Sequence, residues 1–358
     1  MDNKKIRIGI THGDICGVGY EVILKTFADP AMCDLCIPIV YGSPRAATYH
    51  RKMMDLTTNF TLVEKAADAQ SGRLNMVTCF DEEVKITPGH ASPDCGHAAL
   101  LSLRKAVEDC KNGEIDALVT APINKAVMHG NEFPFTGHTE YLEQEFGGKS
   151  LMILMNPLMR VALVTTHLPL REVPQAITQE RIMEKAELFY QALLKDFSVS
   201  CPRIAVLSLN PHCGDGGLLG KEEEEVISPA VSALQDKGLQ CYGPYAADGF
   251  FGSGLYKKFD GILAMYHDQG LAPFKALCNN DGVNYTAGLA AVRTSPAHGT
   301  AFDIAGKGIA DENSFRQAVY QAIDVFHNRR NYEEAAANPL KVVQRENKNK
   351  HSNREQIE

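Results

Sequence analysis

Three histidines each come just after an apolar, β-branched run. His167 follows Val161–Thr166, His212 follows Ile204–Leu209, and His267 follows Gly261–Met265. If these runs are strands of an open parallel sheet, their carboxyl ends lie at one edge, where ligands bind. Neutral imidazole is the commonest transition-metal ligand, and three protein ligands with an open fourth position are typical of catalytic sites. The pattern predicts a metal site, although each histidine taken alone also fits a loop or hydrogen-bonded core residue.

Cationic side chains follow the third histidine. Lys275 ends the segment that starts at Asp268, Asn284 comes after Gly282, and Arg293 precedes two hydroxyl residues. We expect Lys275 and Arg293 to lie on loops after the strand that precedes His267. Lys275 and Arg293 would suit a phosphate or carboxylate there, since a guanidinium group binds oxyanions through two hydrogen bonds. Taken alone, each is equally explained as a solubilising surface charge.

The polar segment Pro134–Glu140 contains His138 and Thr139. It has the composition of a loop that opens a helix, and a helix N-terminus favours an anion. The same composition also fits a helix cap without a ligand.

A glycine-rich segment, Gly13–Gly19, lies between an apolar run and a helical pattern. This is the context of a phosphate-binding loop, but the glycine order is not that of the dinucleotide fingerprint GxGxxG. The chain also lacks the GxxxxGK[ST] motif of nucleoside triphosphatases and the GxSxG motif of α/β-hydrolases.

Short apolar runs alternate with helical patterns along the chain, which predicts a mainly parallel α/β sheet. The expected strands are Ile6–Thr11, Ile37–Tyr41, Ala117–Thr120, Val161–Thr166, Ile204–Leu209 and Gly261–Met265. The expected helices are Val18–Phe27, His97–Lys111, Gln179–Asp196, Glu222–Gln235 and Ser314–Arg329. Ser92 and Asp94 are candidate caps before the second of these helices, and Asn112 with Gly113 is its stop signal.

Composition indicates a soluble globular protein. The chain has 358 residues, is 44% hydrophobic and carries a net charge of −8. That charge argues against a general nucleic-acid or anionic-membrane surface. The apolar segment near the start is too short for a signal peptide or membrane span, so a cytoplasmic location is expected. The ten cysteines are scattered, and the one close pair, Cys33 and Cys36, is too few ligands for structural zinc.

Several longer motifs occur in a characteristic order. They are Thr120–Lys125, Gly137–Glu140, Thr165–Leu170, Leu209–His212, Met265–Leu271 and His298–Ala301. Together they resemble the 4-hydroxythreonine-4-phosphate dehydrogenase family of pyridoxal phosphate biosynthesis. The resemblance extends from Ile6 to about Arg329, nearly the whole chain.

The resemblance implies a two-domain α/β/α fold of the isocitrate and isopropylmalate dehydrogenase type. The expected division is residues 1–130 with 290–330 as the cofactor-side domain, and 131–289 as the domain for substrate, metal and dimerisation. Residues 331–358 would form a peripheral tail. The resemblance also implies a homodimer whose metal site borrows a ligand from the partner.

The resemblance assigns roles residue by residue. It implies metal ligation by His167, His212 and His267, matching the strand-end histidines. It implies substrate contacts from His138, Thr139, Lys275, Asn284 and Arg293. It also implies NAD binding, with NADP as an alternative, by the loop residues His298, Gly299, Thr300, Ala301, Asp303 and Gly306. Histidine ligation favours zinc or cobalt over magnesium.

The implied reaction is NAD-dependent oxidation of 4-phosphohydroxy-L-threonine to 2-amino-3-oxo-4-phosphooxybutanoate, which then loses carbon dioxide to give 3-amino-2-oxopropyl phosphate. Asp268 and Lys275 are the candidate catalytic residues. Asp268 would act as the base, unless a metal-bound water does, and Lys275 would hold an anionic group.

One loop departs from the family pattern, which has Thr-Pro-Gly-Asp-Pro near the start and a later proline. This chain has His12 and Ile15 in that motif, and Tyr20 in place of the later proline. The alternative is therefore a dehydrogenase for D-threonate or D-erythronate 4-phosphate. A more distant alternative is a metal-binding sensor on the same fold without turnover.

Overall fold

The computed structural model describes residues 5–80, 84–130, 132–135 and 137–338. Within these ranges the strands form one 12-stranded sheet. The strands are β1 (Arg7–Thr11), β2 (Ile37–Gly42), β3 (Thr61–Val63), β4 (Asn75–Thr78), β5 (Ala117–Thr120), β6 (Gly148–Met155), β7 (Arg160–Leu163), β8 (Arg203–Leu207), β9 (Gln240–Tyr245), β10 (Gly261–Ala264), β11 (Val283–Leu289) and β12 (Val292–Pro296).

Helices pack against this sheet. They are α1 (Gly19–Thr26), α2 (Ala31–Leu35), α3 (Pro44–Met53), α4 (Pro93–Lys111), α5 (Lys125–Met128), α6 (His138–Phe146), α7 (Val173–Ala176), α8 (Gln179–Lys195), α9 (Ser228–Asp236), α10 (Ala247–Gly252), α11 (His267–Leu277) and α12 (Asn313–Ala336). A π-helical segment, Glu223–Ile227, leads directly into α9. None of the helices in the described ranges is long and apolar enough to cross a membrane.

The sheet consists of two parallel blocks joined by an antiparallel centre. Its order is β3-β4-β2-β1-β5-β12-β11-β6-β7-β10-β8-β9. The strands from β3 to β12 in this order are parallel, as are those from β7 to β9. β11 and β6 are antiparallel to each neighbour, so the second block runs opposite to the first. The predicted α/β class is confirmed, with a mixed sheet.

Each predicted strand corresponds to an observed one, namely β1, β2, β5, β7, β8 and β10. The helix predicted from His97 begins at Pro93, because the Ser92 hydroxyl accepts a hydrogen bond from the backbone N–H of Cys95. It ends at Lys111, and Gly113 has a φ of 72°. The last helix extends past Arg329 to Ala336, while residues 339–358 lie outside the described residues.

The prediction that the cationic residues lie on loops was wrong. Lys275 lies in the last turn of α11, Asn284 in β11 and Arg293 in β12. Gly270 and Pro273 lie within α11, and a Cβ on Gly270 would lie only 2.8 Å from Val161 Cγ1. The glycine therefore permits close packing of the helix on β7.

The two blocks use different parts of the chain. The first contains β1 to β5 and β12, whereas β6 to β11 form the centre and the second block. The predicted domains, 1–130 with 290–330 and 131–289, would divide the chain between the same strands. The domain division itself stays a prediction.

Two of the three departures from the family pattern, His12 and Tyr20, belong to a buried aromatic stack. His12 and Tyr20 are 0% and 1% exposed, and their rings are stacked with centroids 5.1 Å apart. The Tyr20 ring also stacks on His50, at 5.3 Å. The Tyr20 hydroxyl accepts a hydrogen bond from the backbone N–H of Ser43. These side chains therefore fix the start of α1 through packing.

Burial of His12 should make stability depend on pH. Burial lowers the pKa of His12 to about 3, against 6.5 when unfolded. Below pH 6.5 the unfolded chain binds a proton that the folded chain does not, so this contribution is full above pH 6.5 and declines toward pH 3. His12→Phe should reduce the loss of unfolding free energy between pH 6.5 and 5 by about 1.4 kcal/mol per pH unit. Urea unfolding at several pH values measures this, with His327→Phe, at an exposed site, as the control.

Candidate active site

The strands that precede the three histidines are neighbours. β10 pairs with β7 on one side and β8 on the other, both in parallel. The Thr165 hydroxyl donates to the Met265 carbonyl at 2.7 Å, which ties the end of β7 to that of β10. Gln269 accepts from the Met265 N–H and donates to the Ser208 carbonyl, which ties β10 to β8. The predicted common edge is confirmed.

His167 and His267 lie together at this edge, with ring centroids 5.7 Å apart. His267 begins α11, and its Nδ1 is 2.7 Å from Oδ1 of Asp268. This contact leaves Nε2 of His267 available to a metal, an arrangement in which the carboxylate orients the ligand. Partial burial, followed by the charges of Lys125 and His267, lowers the pKa of His167. The neutral, ligating form of His167 is thereby favoured.

His212 follows β8 on a short turn, Pro211–Gly214, and is exposed. Its φ is 52° and that of Cys213 is 54°, both in the left-handed region that most side chains avoid. Gly214 has a φ of 80°, and a Cβ there would lie 2.6 Å from the Gly220 carbonyl oxygen. Such backbone strain persists where the surrounding structure imposes it, often at functional sites.

The three histidines do not form a complete ligand set within one chain. Among the described residues, the group of three ligand side chains whose atoms all lie within 4.8 Å of one another is Asp14, Cys16 and Cys95. The structure thus brings His167 and His267 together and places His212 on the same edge, apart from them. The metal assignment stays a prediction.

Glu223 holds the His212 turn in place. It is 2% exposed, and Oε1 accepts hydrogen bonds from the backbone N–H groups of Leu209 and Asn210, both at 2.7 Å. Its Oε2 accepts a third from the side-chain amide of Asn210 at 3.0 Å. A buried carboxylate that collects three donors stabilises the local backbone more than neutral hydrogen bonds would.

Replacing this carboxylate should loosen the turn. Glu223→Gln weakens charge-assisted hydrogen bonds by about 1 to 2 kcal/mol, since bonds to charged groups are the stronger class. Hydrogen exchange of the amides near His212 should become about tenfold faster or more. Glu224→Gln, at an exposed neighbouring position, should leave the exchange unchanged. Equal exchange in both variants would contradict the anchoring role.

Arg293 is a buried cation on β12, 3% exposed. Its Nε and Nη2 donate to the Thr120 hydroxyl at 3.1 and 2.7 Å, and its Nη1 donates to the Thr286 hydroxyl at 3.0 Å. No carboxylate in the described part of the chain forms an ion pair with it. Burial lowers the pKa of Arg293 to about 10, and the charge of Glu140 partly opposes this. A guanidinium group with remaining donors and no anionic partner is suited to an anionic ligand.

Two predicted substrate residues lie near Arg293. Asn284 is on β11, two residues before Thr286 and on the same face, and its Oδ1 is buried without a partner among the described residues. His138 opens α6, and its Nε2 is likewise buried and unpartnered. Burial, then the charges of Arg293 and Lys125, lowers the pKa of His138. Thr139, the next residue, is partly buried in the same turn.

The site also contains two residues to which the sequence analysis gave no role, Lys125 and Glu140. Lys125 affects the pKa of both His138 and His167, and Glu140 that of both His167 and Arg293. Gly137 lies beside both, since a Cβ there would lie 3.4 Å from Lys125 Nζ and 3.5 Å from Glu140 Oε2. Ligands bind at the carboxyl ends of parallel strands, and Lys125 lies five residues after the end of β5. The argument used for the three histidines would therefore have identified it.

Lys275 and the predicted cofactor segment share a separate cavity of about 440 Å³. His298 and Ala301 line it, together with the apolar side chains of Val18, Val22, Ile304 and Ile309. The charge of Lys275 contributes to the lowered pKa of His298, after the larger effect of burial. Lys275 therefore lies with the predicted cofactor residues, and Arg293 lies with His138 and Asn284.

The remaining cofactor candidates form an irregular loop next to this cavity. The Thr300 carbonyl accepts a hydrogen bond from the backbone N–H of Val18, which ties the loop to the glycine-rich segment. Ala301 has a φ of 48° and Gly306 one of 79°. Gly299 and Asp303 are exposed. The glycine-rich segment Gly13–Gly19 and the loop of cofactor candidates are therefore in direct contact.

A sequence model of the family described as "Pyridoxal phosphate biosynthetic protein PdxA" matches residues 34–322. The chain belongs to the PdxA family. A 4-hydroxythreonine-4-phosphate dehydrogenase from Bacteroides thetaiotaomicron is 62% identical over 343 residues, covering 95% of this chain and 94% of that protein. The membership confirms the resemblance seen in the motifs.

Other relatives support the fold, and one of them is named for another phosphorylated hydroxy acid. The crystal structure of a 4-hydroxythreonine-4-phosphate dehydrogenase from Klebsiella pneumoniae is similar with a TM-score of 0.79 and 32% identity, covering 91% of this chain and 99% of that one. A protein from Oceanobacillus iheyensis, provisionally named a D-threonate 4-phosphate dehydrogenase, is 38% identical over 90% of this chain and 98% of its own length. The Oceanobacillus protein is 38% identical to this chain, against 62% for the Bacteroides dehydrogenase. The comparison therefore does not favour D-threonate 4-phosphate as the substrate.

Proposed function

We propose that this chain oxidises the secondary hydroxyl of 4-phosphohydroxy-L-threonine and promotes loss of carbon dioxide from the product, giving 3-amino-2-oxopropyl phosphate. Family membership and the 62% identical relative support the reaction class and substrate. The structural observation that carries it is the buried guanidinium of Arg293, which has no carboxylate partner among the described residues. An anionic substrate would supply that missing partner.

The Arg293 group would bind one anionic end of the substrate. Thr120 and Thr286 hold the guanidinium plane in one orientation, so that binding costs little side-chain entropy. Neutral His138 and the free Oδ1 of Asn284 supply directional hydrogen bonds beside it. This combination binds a polar substrate through one charge pair and neutral contacts.

The histidines suit a divalent metal, since neutral imidazoles favour zinc or cobalt. His167 and His267 would hold it, with His212 completing the set. When bound there, the metal would lower the pKa of the substrate alcohol, and NAD would accept the hydride. Asp268 hydrogen-bonds His267, which fits an orienting carboxylate, although 85% exposure of its side chain also leaves it accessible as a base.

Lys125 is suited to the decarboxylation that follows. A β-keto acid loses carbon dioxide as electrons move into the adjoining carbonyl, and a nearby cation stabilises the developing oxyanion. The Lys125 ammonium lies close enough to His138 and His167 for its charge to lower the pKa of both. We assign it this stabilising role.

The cavity beside His298 suits the nucleotide. Its volume of about 440 Å³ falls within the usual range for cofactor and ligand pockets. Asp311 lines it with Lys275 and Asn280. A carboxylate accepts a hydrogen bond from a ribose hydroxyl but repels a 2′-phosphate, so we propose NAD in preference to NADP.

A homodimer would complete the metal site. Leu168 and Leu170 follow His167, Leu218 and Leu219 follow His212, and their exposed fractions range from 38% to 78%. Large apolar side chains exposed beside unpaired ligands are typical of a subunit interface. We propose that His212 meets the His167 and His267 pair of a second copy. Cytoplasmic location stays a prediction.

A substrate comparison tests the function. Purified protein with zinc and NAD should form NADH with 4-phosphohydroxy-L-threonine at least about a hundredfold faster, in kcat/KM, than with D-threonate or D-erythronate 4-phosphate. Replacing NAD by NADP should lower the rate, and a chelator should abolish it. The reverse substrate preference would establish the alternative. Absence of NADH with all three substrates would support a non-catalytic sensor.

A further inference from the structure

Cys16 and Cys95 form a buried pair of thiols that the proposed reaction does not use. They are 79 residues apart in sequence, yet their sulfurs are 2.7 Å apart. They are 1% and 0% exposed. Two sulfurs bound to one tetrahedral zinc at about 2.3 Å lie about 3.8 Å apart, whereas those of a disulfide lie about 2.05 Å apart. The observed separation is shorter than that of two sulfurs on one zinc and longer than a disulfide bond, so the two free thiols are in direct contact.

The two thiols have different environments. Cys95 lies in the first turn of α4, where the Ser92 hydroxyl donates to its sulfur at 3.0 Å. A hydrogen bond from the Cys16 thiol, together with that from Ser92, lowers the pKa of Cys95 against the effect of burial. The same contact and burial raise the pKa of Cys16. A thiol with a lowered pKa at a helix N-terminus, in contact with a second thiol, is a reactive arrangement.

The Asp14 carboxylate lies near both thiols and can accept a proton from them. Its Oδ1 accepts from the backbone N–H of Cys16 at 2.8 Å, and its Oδ2 is buried without a partner in the described part of the chain. One carboxylate oxygen lies within 4.8 Å of both sulfurs. Burial raises the pKa of Asp14, so this carboxylate can exchange protons at a higher pH than an exposed one.

We propose that Cys16 and Cys95 are a redox-active pair that hydrogen peroxide oxidises to a reversible disulfide. The Cys95 thiolate attacks a peroxide oxygen, the O–O bond breaks, and a sulfenic acid and one water form. The Cys16 sulfur then attacks the sulfenic sulfur, the S–S bond forms and a second water leaves. The two thiols lose two electrons, and their two protons end on the peroxide oxygens, with Asp14 as the carrier.

The bond would join segments that border the proposed cofactor site. The Cys16 carbonyl accepts from the Gly89 N–H, and the nearby Val18 N–H donates to the Thr300 carbonyl. On the other side, Gly96 packs on α5, where an added Cβ would lie 2.4 Å from the Val127 carbonyl oxygen. Oxidation would therefore fix the glycine-rich segment to the first turn of α4, next to the helix that begins at Lys125.

Thiol mapping of the full chain tests this. The reduced protein is treated with hydrogen peroxide, quenched with N-ethylmaleimide and digested for mass spectrometry. The free thiols should fall from ten to eight, with one linked peptide pair containing Cys16 and Cys95. Oxidation should raise the Tm by about 5 °C, and dithiothreitol should reverse both changes.

Matched variants decide the assignment. Cys16→Ala and Cys95→Ala, with Cys16→Ser as a second form, should each abolish the linked pair and the Tm shift. Cys201→Ala, at an exposed thiol, should retain both. If Cys16 and Cys95 of the wild-type protein stay free thiols after peroxide treatment, the redox assignment is wrong. Zinc that the wild type retains and Cys16→Ala loses would also overturn it, because that result would indicate a metal site.

Discussion

Arg293→Met should lower kcat/KM for 4-phosphohydroxy-L-threonine by about a thousandfold or more, equivalent to about 4 kcal/mol of lost transition-state stabilisation. The substrate anion would enter a buried site that no longer holds the opposite charge. The same substitution should leave the Tm unchanged or raise it, because a buried cation without a carboxylate partner is costly to the folded state. Steady-state kinetics and thermal unfolding of one preparation measure both effects.

The matched control for Arg293 is Thr286→Val. It removes the hydroxyl that accepts from Nη1 and keeps the guanidinium group and the shape of the side chain. We expect about a tenfold loss, since one hydrogen bond to a charged group is worth about 1.5 kcal/mol. An Arg293→Met protein that binds substrate normally but unfolds at a lower temperature would make Arg293 a structural residue.

His212→Ala and His267→Ala should each lower kcat/KM by about ten-thousandfold and remove bound metal, since a metal that loses one of three ligands neither binds tightly nor activates the alcohol. Metal content by mass spectrometry and NADH formation are the measurements. His327→Ala, at an exposed position on α12, is the control and should change neither.

Mixing the two histidine variants tests whether the site is shared. If His212 and His267 of one site come from different subunits, a hybrid dimer has one intact site of two. Refolded equimolar mixtures should then recover about a quarter of wild-type activity, because half of the dimers are hybrids. If both ligands come from one chain, the mixture stays inactive, and the separation of His212 from the other two would need another cause.

The sequence predicted the parts of the site that depend on strand ends. The carboxyl ends of β7, β8 and β10 lie at one edge, as three apolar runs followed by histidines indicated. Parallel strands flanked by helices have distinct apolar patterns, so these strands were identifiable. Six strands were missed, namely β6 and β11 in the antiparallel centre and the parallel strands β3, β4, β9 and β12. β3 is only three residues long, and β9 and β12 carry polar, glycine or proline residues in place of a continuous apolar run.

Other features depend on contacts between distant residues. Arg293 was found as a cation, but its burial depends on Thr120 and Thr286, which lie on other strands. The sequence also gave no sign that Cys16 would contact Cys95. The one close pair in sequence, Cys33 and Cys36, lies elsewhere, at the end of α2. The spacing of residues in the sequence predicts contacts within one helix or strand. Contacts between side chains on different strands depend on how those strands are ordered and aligned in the sheet.

The place of β12 in the sheet affects how the chain is made. β5 ends at Thr120, and its neighbour β12 begins at Val292, after all of β6 to β11 has been synthesised. On the ribosome, β5 therefore presents an open edge, with unpaired N–H and C=O groups, until the last strand emerges. Because long-range pairing is slow, chains truncated before Val292 are expected to aggregate, and nascent chains to engage chaperones late in translation.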